Sequence, residues 1–226
     1  MSLIECEQLS KVYEMGADRV CALDTVDLKI EEGDFLAILG PSGSGKSTLM
    51  HLIGFLDRPS SGRILFDGQD FSKTTEAQRA AVRSERIGFV FQAFNLLPRL
   101  NLLQNTMLPL SYRRNHKVTS RKQAMDALDL VGLSDRIRHR PSELSGGQRQ
   151  RAAIARALVN EPRLILADEP TGNLDSKTSK TLLEAFKELN RSGRTLVLVT
   201  HDSNVAAKAS RTIEVLDGKI FEGPAA

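Results

Sequence analysis

The chain has 226 residues, 41% of them apolar, and its 31 Lys and Arg against 28 Asp and Glu give a formal net charge of +3. That length builds one domain with room for a subdomain, and buries a sizeable core without disulfide or metal staples. The composition excludes fibrous and disordered classes, and the charge is too small to argue for nucleic acid; the two distant cysteines, Cys6 and Cys21, offer neither a zinc spacing nor a disulfide framework and suit a reducing compartment.

The opening stretch MSLIECEQLSKVYE is charged from residue 5 and lacks the apolar centre of a signal peptide. Val26, Leu28 and Ile30 alternate with Asp27 and Lys29, which predicts a half-buried strand. Phe35 to Leu39 is apolar without alternation, as in a strand covered on both faces. Residues 35–56 hold a single formal charge, Lys46, but their middle reads GPSGSGKST, which is polar and helix-breaking, so the chain reads as soluble. From Ser47 onward Leu49, Leu52, Ile53 and Leu56 recur at helical spacing. Residues 63–68 (RILFDG) predict a strand ending in an Asp-Gly turn, and 86–91 (RIGFVF) another strand.

From about Ala93 to Asn160 the pattern is mainly helical, with Ala124, Leu128 and Val131 on one face and Gly132 as a C-cap. Strand and helix then alternate: Leu164 to Ala167, a helix marked by Leu182, Leu183, Phe186 and Leu189 that stops near Gly193, Thr195 to Thr200, and a hairpin at 212–221 around Asp217-Gly218. Such alternation predicts an α/β fold, a parallel sheet with helices on both faces, and the 93–160 block reads as a helical insertion. Residues 113–156 carry 11 Lys and Arg against 4 Asp and Glu. That excess fits a solvated helical surface, or the neighbourhood of an anionic membrane face or acidic partner. Its only aromatic neighbour is Tyr112, which leaves no stacking platform for single-stranded nucleic acid.

Three motifs bear chemistry. Gly40, Pro41, Ser42, Gly43, Ser44, Gly45, Lys46 and Ser47 fit G-x-x-x-x-G-K-[ST] between a buried strand and an amphipathic helix. Its glycines let consecutive N–H groups face one concavity at a helix N-terminus, Lys46 reaches β- and γ-phosphates, and the Ser47 hydroxyl is a magnesium ligand. Asp168 and Glu169 follow the apolar run RLILA, which delivers two carboxylates to a strand end. There Asp168 would hold the magnesium shell, and Glu169 would orient or deprotonate the attacking water. Leu144, Ser145, Gly146, Gly147 and Gln148 open another helix, capped by Ser145, with glycines that admit close approach of an anion. One nucleotide has no need of two such helix starts from one chain, so two chains arranged head to tail, each completing the other's site, are expected.

With these motifs in this order the sequence strongly resembles the ABC-type ATPases over nearly its whole length. The resemblance implies an α/β P-loop nucleoside-triphosphatase core (RecA-like) with an N-terminal antiparallel β subdomain and an inserted helical subdomain. It divides the single domain into 1–92 with 161–226 and the helical 93–160. It implies that Tyr13 stacks on adenine and that Gly40 to Thr48 form the Walker A loop. Gln92 then matches the Q-loop glutamine near magnesium, and Ser145 to Gln148 lie in the LSGGQ signature. Asp168 and Glu169 match the Walker B aspartate and catalytic glutamate, Gly172 to Asp175 the D-loop, and His201 the γ-phosphate switch histidine. Read alone, Tyr13 also fits a half-buried strand tyrosine, Gln92 a surface amide and His201 a residue at a strand end.

The stretch Tyr13 to Leu23, with FQAFNLLPRL and DEPTGNLD, is similar to the branch serving macrolide efflux, lipoprotein release and cell-division complexes, whose membrane partner has a large extracytoplasmic domain. Residues 104–106, Gln-Asn-Thr, depart from that branch's Glu-Asn-Val, in a segment expected near the partner. The expected assembly is a homodimer that binds ATP and Mg2+ and sits on the cytoplasmic face of the membrane through an integral permease subunit. Two other readings keep the chemistry and change the partner. One is a solute importer, whose regulatory C-terminal extension the chain would lack; the other is a soluble ATPase of DNA repair or translation, whose coiled coils find no heptad run here.

Overall fold

The computed structural model describes residues 2–16, 18–113 and 120–222. Two long strands, β1 (Ser2–Met15) and β2 (Asp18–Glu31), pair antiparallel, and β1 also pairs with β4 (Ser61–Phe66), which continues through the Asp67-Gly68 turn into β5 (Gln69–Asp70). The resulting four-stranded antiparallel sheet has the order β2-β1-β4-β5. Val26, Leu28 and Ile30 are buried and Asp27 and Lys29 exposed, as the alternation requires.

The second sheet has six strands. Its parallel members are β3 (Phe35–Leu39), β6 (Ile87–Phe91), β7 (Leu164–Asp168), β8 (Thr195–Thr200) and β9 (Arg211–Leu216), and β10 (Lys219–Glu222) closes one edge as an antiparallel hairpin with β9. The order is β10-β9-β3-β8-β7-β6. Helix α1 (Lys46–Ile53) lies between the two sheets: Leu49, Met50, Leu52 and Ile53 join one core with Leu36, Ile38, Leu166 and Val199 beneath and Ile4, Leu28 and Ile64 above. On the sheet's other face Phe35, Ala37, Ile165 and Leu198 pack against α5 (Gly146–Leu158), α6 (Ser176–Arg191) and the short α7 (Ser203–Ala206). Core on both faces explains why these strands read as uninterrupted apolar runs.

A third core is helical. It joins α3 (Leu102–Met107), α4 (Ser120–Leu130) and one face of α5 through Leu102, Leu103, Ala124, Leu128, Ala152 and Ala155. Helix α5 gives Ile154, Ala157 and Leu158 to the sheet and Ala152, Ala155 and Val159 to this cluster, so it is the element that fastens one to the other. The departures at 104–106 leave α3 intact. Gln104 closes a capping box with Asn101, a task Glu does equally well. Thr106 is buried with its hydroxyl bonded 2.9 Å from the Leu102 carbonyl. Asn105, fully buried, ties down the preceding loop through the carbonyls of Leu97, Leu100 and Asn101.

Two local expectations are corrected. The helix that starts at Lys46 ends at Ile53: Gly54 caps it, where a Cβ would stand 2.8 Å from Leu166 and Phe89, and Phe55 turns into the left-handed region at φ 56. Phe55 is therefore buried and Leu56, expected on the helix face, is exposed. A helix also stands where no element was expected, α2 (Glu76–Arg86), started by a Thr75–Gln78 capping box. No helix among the described residues is long and apolar enough to cross a membrane. Part of the basic excess expected over 113–156 falls on 114–119, outside the described residues.

The seat of α5 on β6 depends on Gly88, where a Cβ would stand 2.5 Å from the Ala157 carbonyl oxygen. Gly88→Ala is expected to overpack this contact by about 1–3 kcal/mol and to lower the thermal midpoint by roughly 2–12 °C in a calorimetric scan. Melting at the wild-type temperature would show that the helix has room to spare.

Candidate functional site

The register of the parallel strands builds one edge. Leu39 lies beside Thr200, Val199 beside Asp168, and Asp168 beside Phe91. The residues that follow these pairings, Gly40, His201, Glu169 and Gln92, therefore emerge at the same carboxyl end of four adjacent strands, where ligands bind in open α/β sheets.

The loop from Gly40 to Gly45 is pressed between two backbones. A Cβ on Gly40 (φ 154) would stand 2.3 Å from the Val215 carbonyl oxygen of β9, and one on Gly45 (φ 109) 2.3 Å from the Ala22 carbonyl oxygen of β2. Pro41, Ser42 and Gly43 are exposed, as is Ser47, while Thr48 is half-buried. Helix α1 opens without a side-chain cap and without an acidic residue in its first turn, so its N–H groups and partial positive charge are left for an anion. Two further observations fit a triphosphate there. The Ser44 hydroxyl is buried without a partner. Lys46 is only 7% exposed, and its Nζ donates to the Pro41 carbonyl at 2.7 Å rather than to a carboxylate.

The acidic pair stands beside this loop. Burial raises the pKa of Asp168, as does the neighbouring Glu169, while His51 and Lys46 act against them. Among the described residues no three His, Cys, Asp or Glu cluster as a metal cage. The oxygen donors that the motifs offer are Asp168, Ser47 and Gln92, which suits an ion that keeps several waters and takes its remaining ligands from phosphates, as Mg2+ does. Glu169 has a left-handed backbone, φ 43, and its N–H donates to the Val199 carbonyl at 2.9 Å. Backbone strain of this kind persists where the surroundings over-determine it. Its carboxylate accepts a 2.8 Å hydrogen bond from His201 Nδ1.

Gln92 is fixed from the segment after β7. Asn173 Nδ2 donates to the Gln92 carbonyl at 3.0 Å, and Gly172 leaves room for the Gln92 amide, which a Cβ there would approach to 2.6 Å. Asp175 caps α6 through the N–H groups of Lys177 and Thr178. Its carboxyl is held below the usual range, first by the Thr178 hydroxyl. At the far side Tyr13 is half-buried on β1, and the Thr48 side chain of α1 interacts with its phenol.

The signature residues lie elsewhere. Ser145 and Gln148 form a reciprocal capping box at the start of α5, and the neighbours of Gly146 and Gly147 are Asn173, Leu174 and Thr178. None of these neighbours belongs to the phosphate loop. The structure thus brings Gly40 to Thr48, Gln92, Asp168, Glu169 and His201 to one edge and leaves Ser145 to Gln148 apart from it. Sequence reading missed the fixing contacts. Arg156 donates to the Phe94 and Asn95 carbonyls, and Arg149 lies 5.3 Å over the Phe94 ring. Their helical spacing on α5 was the only signal available.

Strand, phosphate loop and helix, with two carboxylates at the end of β7, two places along the sheet, define a P-loop nucleoside triphosphatase. The sequence profile of the family described as "ABC transporter" matches residues 23–172. The uncharacterized ABC transporter ATP-binding protein YvrO of Bacillus subtilis (strain 168) is 52% identical over 96% of this chain and 95% of its own length. The macrolide export ATP-binding/permease protein MacB of Bdellovibrio bacteriovorus is 50% identical over 96% of this chain, which spans 33% of that longer protein. Among solved structures, the dimeric MJ0796, a bacterial ABC transporter cassette, matches with a TM-score of 0.90 and 44% identity over 97% of each chain. A dimeric post-hydrolysis state of the same cassette, bound to ADP and Pi, matches with a TM-score of 0.89 and 42% identity over 97% of this chain and 98% of that one. The chain belongs to the ABC transporter family, as an ATP-binding and ATP-hydrolysing subunit.

The loop's shape rests on Gly45. Gly45→Ala meets both the Ala22 carbonyl and an unfavourable φ, and is expected to weaken ADP binding at least about tenfold by calorimetry. Unchanged affinity would show that the loop does not need this close approach.

Proposed function

We propose that two copies of the chain close head to tail around two ATP molecules and drive an integral membrane partner. The observation that carries this reading is that one chain holds two anion-binding helix starts, and that the nearest neighbours of Gly146 and Gly147 in the second are Asn173, Leu174 and Thr178 rather than the phosphate loop. A second copy supplies the missing half, its Ser145 to Gln148 meeting the γ-phosphate held by the first chain's Gly40 to Thr48. Tyr13 takes the base. Ser47 and Asp168, with Gln92 nearby, would hold Mg2+, which neutralises charge on the β- and γ-phosphates.

In the reaction a water oxygen bonds to the γ-phosphorus, its proton passes to the Glu169 carboxylate, and the bond to the bridging oxygen of ADP breaks. His201 orients Glu169 through Nδ1, and donates to a phosphate oxygen through Nε2 when both ring nitrogens carry a proton. Binding of two nucleotides favours the closed pair and hydrolysis releases it, a population shift between two states.

Closure reaches the partner through β6. A groove of about 810 Å³ runs between α2, β6 and the 3-10 turn at Leu108–Tyr112; Phe89 and Phe91 line it, and Leu56 and Tyr112 are exposed along it. An amphipathic helical segment of a permease fits such an apolar groove. Phe91 directly precedes Gln92, so a load on the groove is felt at the nucleotide edge. The similarity to macrolide export ATP-binding/permease proteins, near 50% identity, supports an export-type permease; its large extracytoplasmic domain, and a place for this chain on the cytoplasmic face of the membrane, belong to the same proposal.

Two tests follow. In Glu169→Gln chains, ATP with Mg2+ is expected to hold a dimer on size exclusion while turnover falls at least about hundredfold; adding Ser145→Arg should abolish that dimer and leave ATP binding intact. A dimer that survives Ser145→Arg overturns the head-to-tail site. Co-purification from detergent-solubilised membranes should recover a permease with a large extracytoplasmic domain, and Tyr112→Asp should release it without changing nucleotide affinity. A permease of the importer kind, or none, would overturn the export branch.

A further inference from the structure

The proposed adenine platform, Tyr13, is a ring near the end of a hairpin, where its cross-strand neighbour Val20 is largely exposed. Such a ring samples several rotamers unless something holds it. Three contacts hold this one, the first between its phenol and the Thr48 side chain of α1. Its hydroxyl donates to Asp57 Oδ2 at 3.0 Å. Lys11, two residues earlier and so on the same face of β1, lies with Nζ 4.8 Å from the ring centroid. The same Nζ donates to Asp57 Oδ1 at 2.8 Å and to the Arg58 carbonyl at 2.8 Å.

Asp57 is itself fixed to the phosphate-loop helix. Its N–H and that of Leu56 both donate to the His51 carbonyl in the last turn of α1, at 3.3 and 2.8 Å, and Phe55 between them and the helix is buried. Burial acts against the charge of Asp57, but Lys11, the Arg58 N–H and Tyr13 outweigh it and keep its carboxyl below the usual range. The Asp57 carboxylate therefore joins the strand that presents the ring to the helix that presents the phosphate-binding N–H groups, beside the direct contact of Thr48 with the phenol.

We infer that Asp57 and Lys11 are positioning residues for the nucleotide base: they lock the Tyr13 ring at a set place relative to the phosphate loop, with Lys11 on one ring face and the opposite face kept for adenine. This rests on the reading of Tyr13 as the base platform. A ring already held loses no rotamer freedom when the base arrives, so the anchor acts on affinity for the nucleoside part and not for the phosphates. It also sets base and phosphate sites to move as one body during closure.

The test compares ADP with inorganic tripolyphosphate, each with Mg2+, by calorimetry on the purified chain. Tyr13→Ala is expected to weaken ADP about tenfold and tripolyphosphate less than twofold. Asp57→Ala and Tyr13→Phe, which keeps the ring and cuts the bond, are each expected to weaken ADP about three- to tenfold with the same sparing of tripolyphosphate. The double variant Tyr13→Phe with Asp57→Ala should lose less than the two single losses combined. If Tyr13→Ala weakens ADP but Tyr13→Phe binds like wild type, the ring stacks without needing its anchor and the inference falls. Equal loss of both ligands in Asp57→Ala would reduce Asp57 to a prop for α1, which also overturns it. Wild-type ADP affinity in Tyr13→Ala would instead remove the underlying reading of Tyr13.

Discussion

A buried lysine without a carboxylate is a costly arrangement, and much of this structure follows from tolerating it. Lys46 is almost fully enclosed and reaches only a carbonyl of its own loop. Around it lie the uncapped start of α1, a buried serine hydroxyl without a partner and two glycines forced against neighbouring backbones. Each feature costs stability in the empty protein. Together they leave a positive charge bonded to no carboxylate and donors short of acceptors among the described residues, so a polyphosphate entering the loop satisfies them all at once. The affinity is built into what the fold leaves unpaired.

The remaining parts read as ways of making that binding event felt at a distance. Helix α5 belongs to two cores, so the signature at its start cannot shift without the helical cluster moving against the sheet. The same helix holds the backbone beyond Gln92 through Arg156, at Phe94 and Asn95, both in left-handed conformations. Asn173, on the segment that follows Glu169, holds the Gln92 carbonyl. The acidic pair, the glutamine and the signature are thus joined by short rigid contacts, and the apolar groove beside β6 adjoins the same assembly. A chain of packed and hydrogen-bonded groups with two discrete arrangements is what mechanical coupling requires.

The antiparallel sheet serves a complementary purpose. It covers α1 from above and delivers the Ala22 carbonyl against Gly45 and the Tyr13 ring beside Thr48. Asp57 and Lys11 tie that sheet to the helix at a second point. The ion pair of Lys11 with Asp57 is largely shielded on the lysine side, which makes it a better fixing device than the exposed surface pairs elsewhere on the molecule.

What the sequence determined by itself was local. A phosphate loop is one continuous segment in which glycine conformation and a helix start do the chemistry, so Gly40 to Ser47 were legible from the residues alone. The same holds for Ser145 and Gln148, whose reciprocal cap spans three residues, and for Asp168 at the end of an apolar run. Helix α2 escaped because periodicity needs an apolar face, and EAQRAAVRSER buries only Arg79 fully, paired with Glu76. The end of α1 was misjudged because Leu56 continues the apolar spacing past Gly54, while in the fold Phe55 takes a left-handed backbone and the buried place. Only the tertiary structure could set Gly40, His201, Glu169 and Gln92 side by side, since the spatial order β3-β8-β7-β6 reverses the chain order of the last three strands. The link of Tyr13 to Asp57, 44 residues apart, was hidden for the same reason. Contacts between distant segments are fixed by strand order and by what each helix must cover, and no local pattern encodes them.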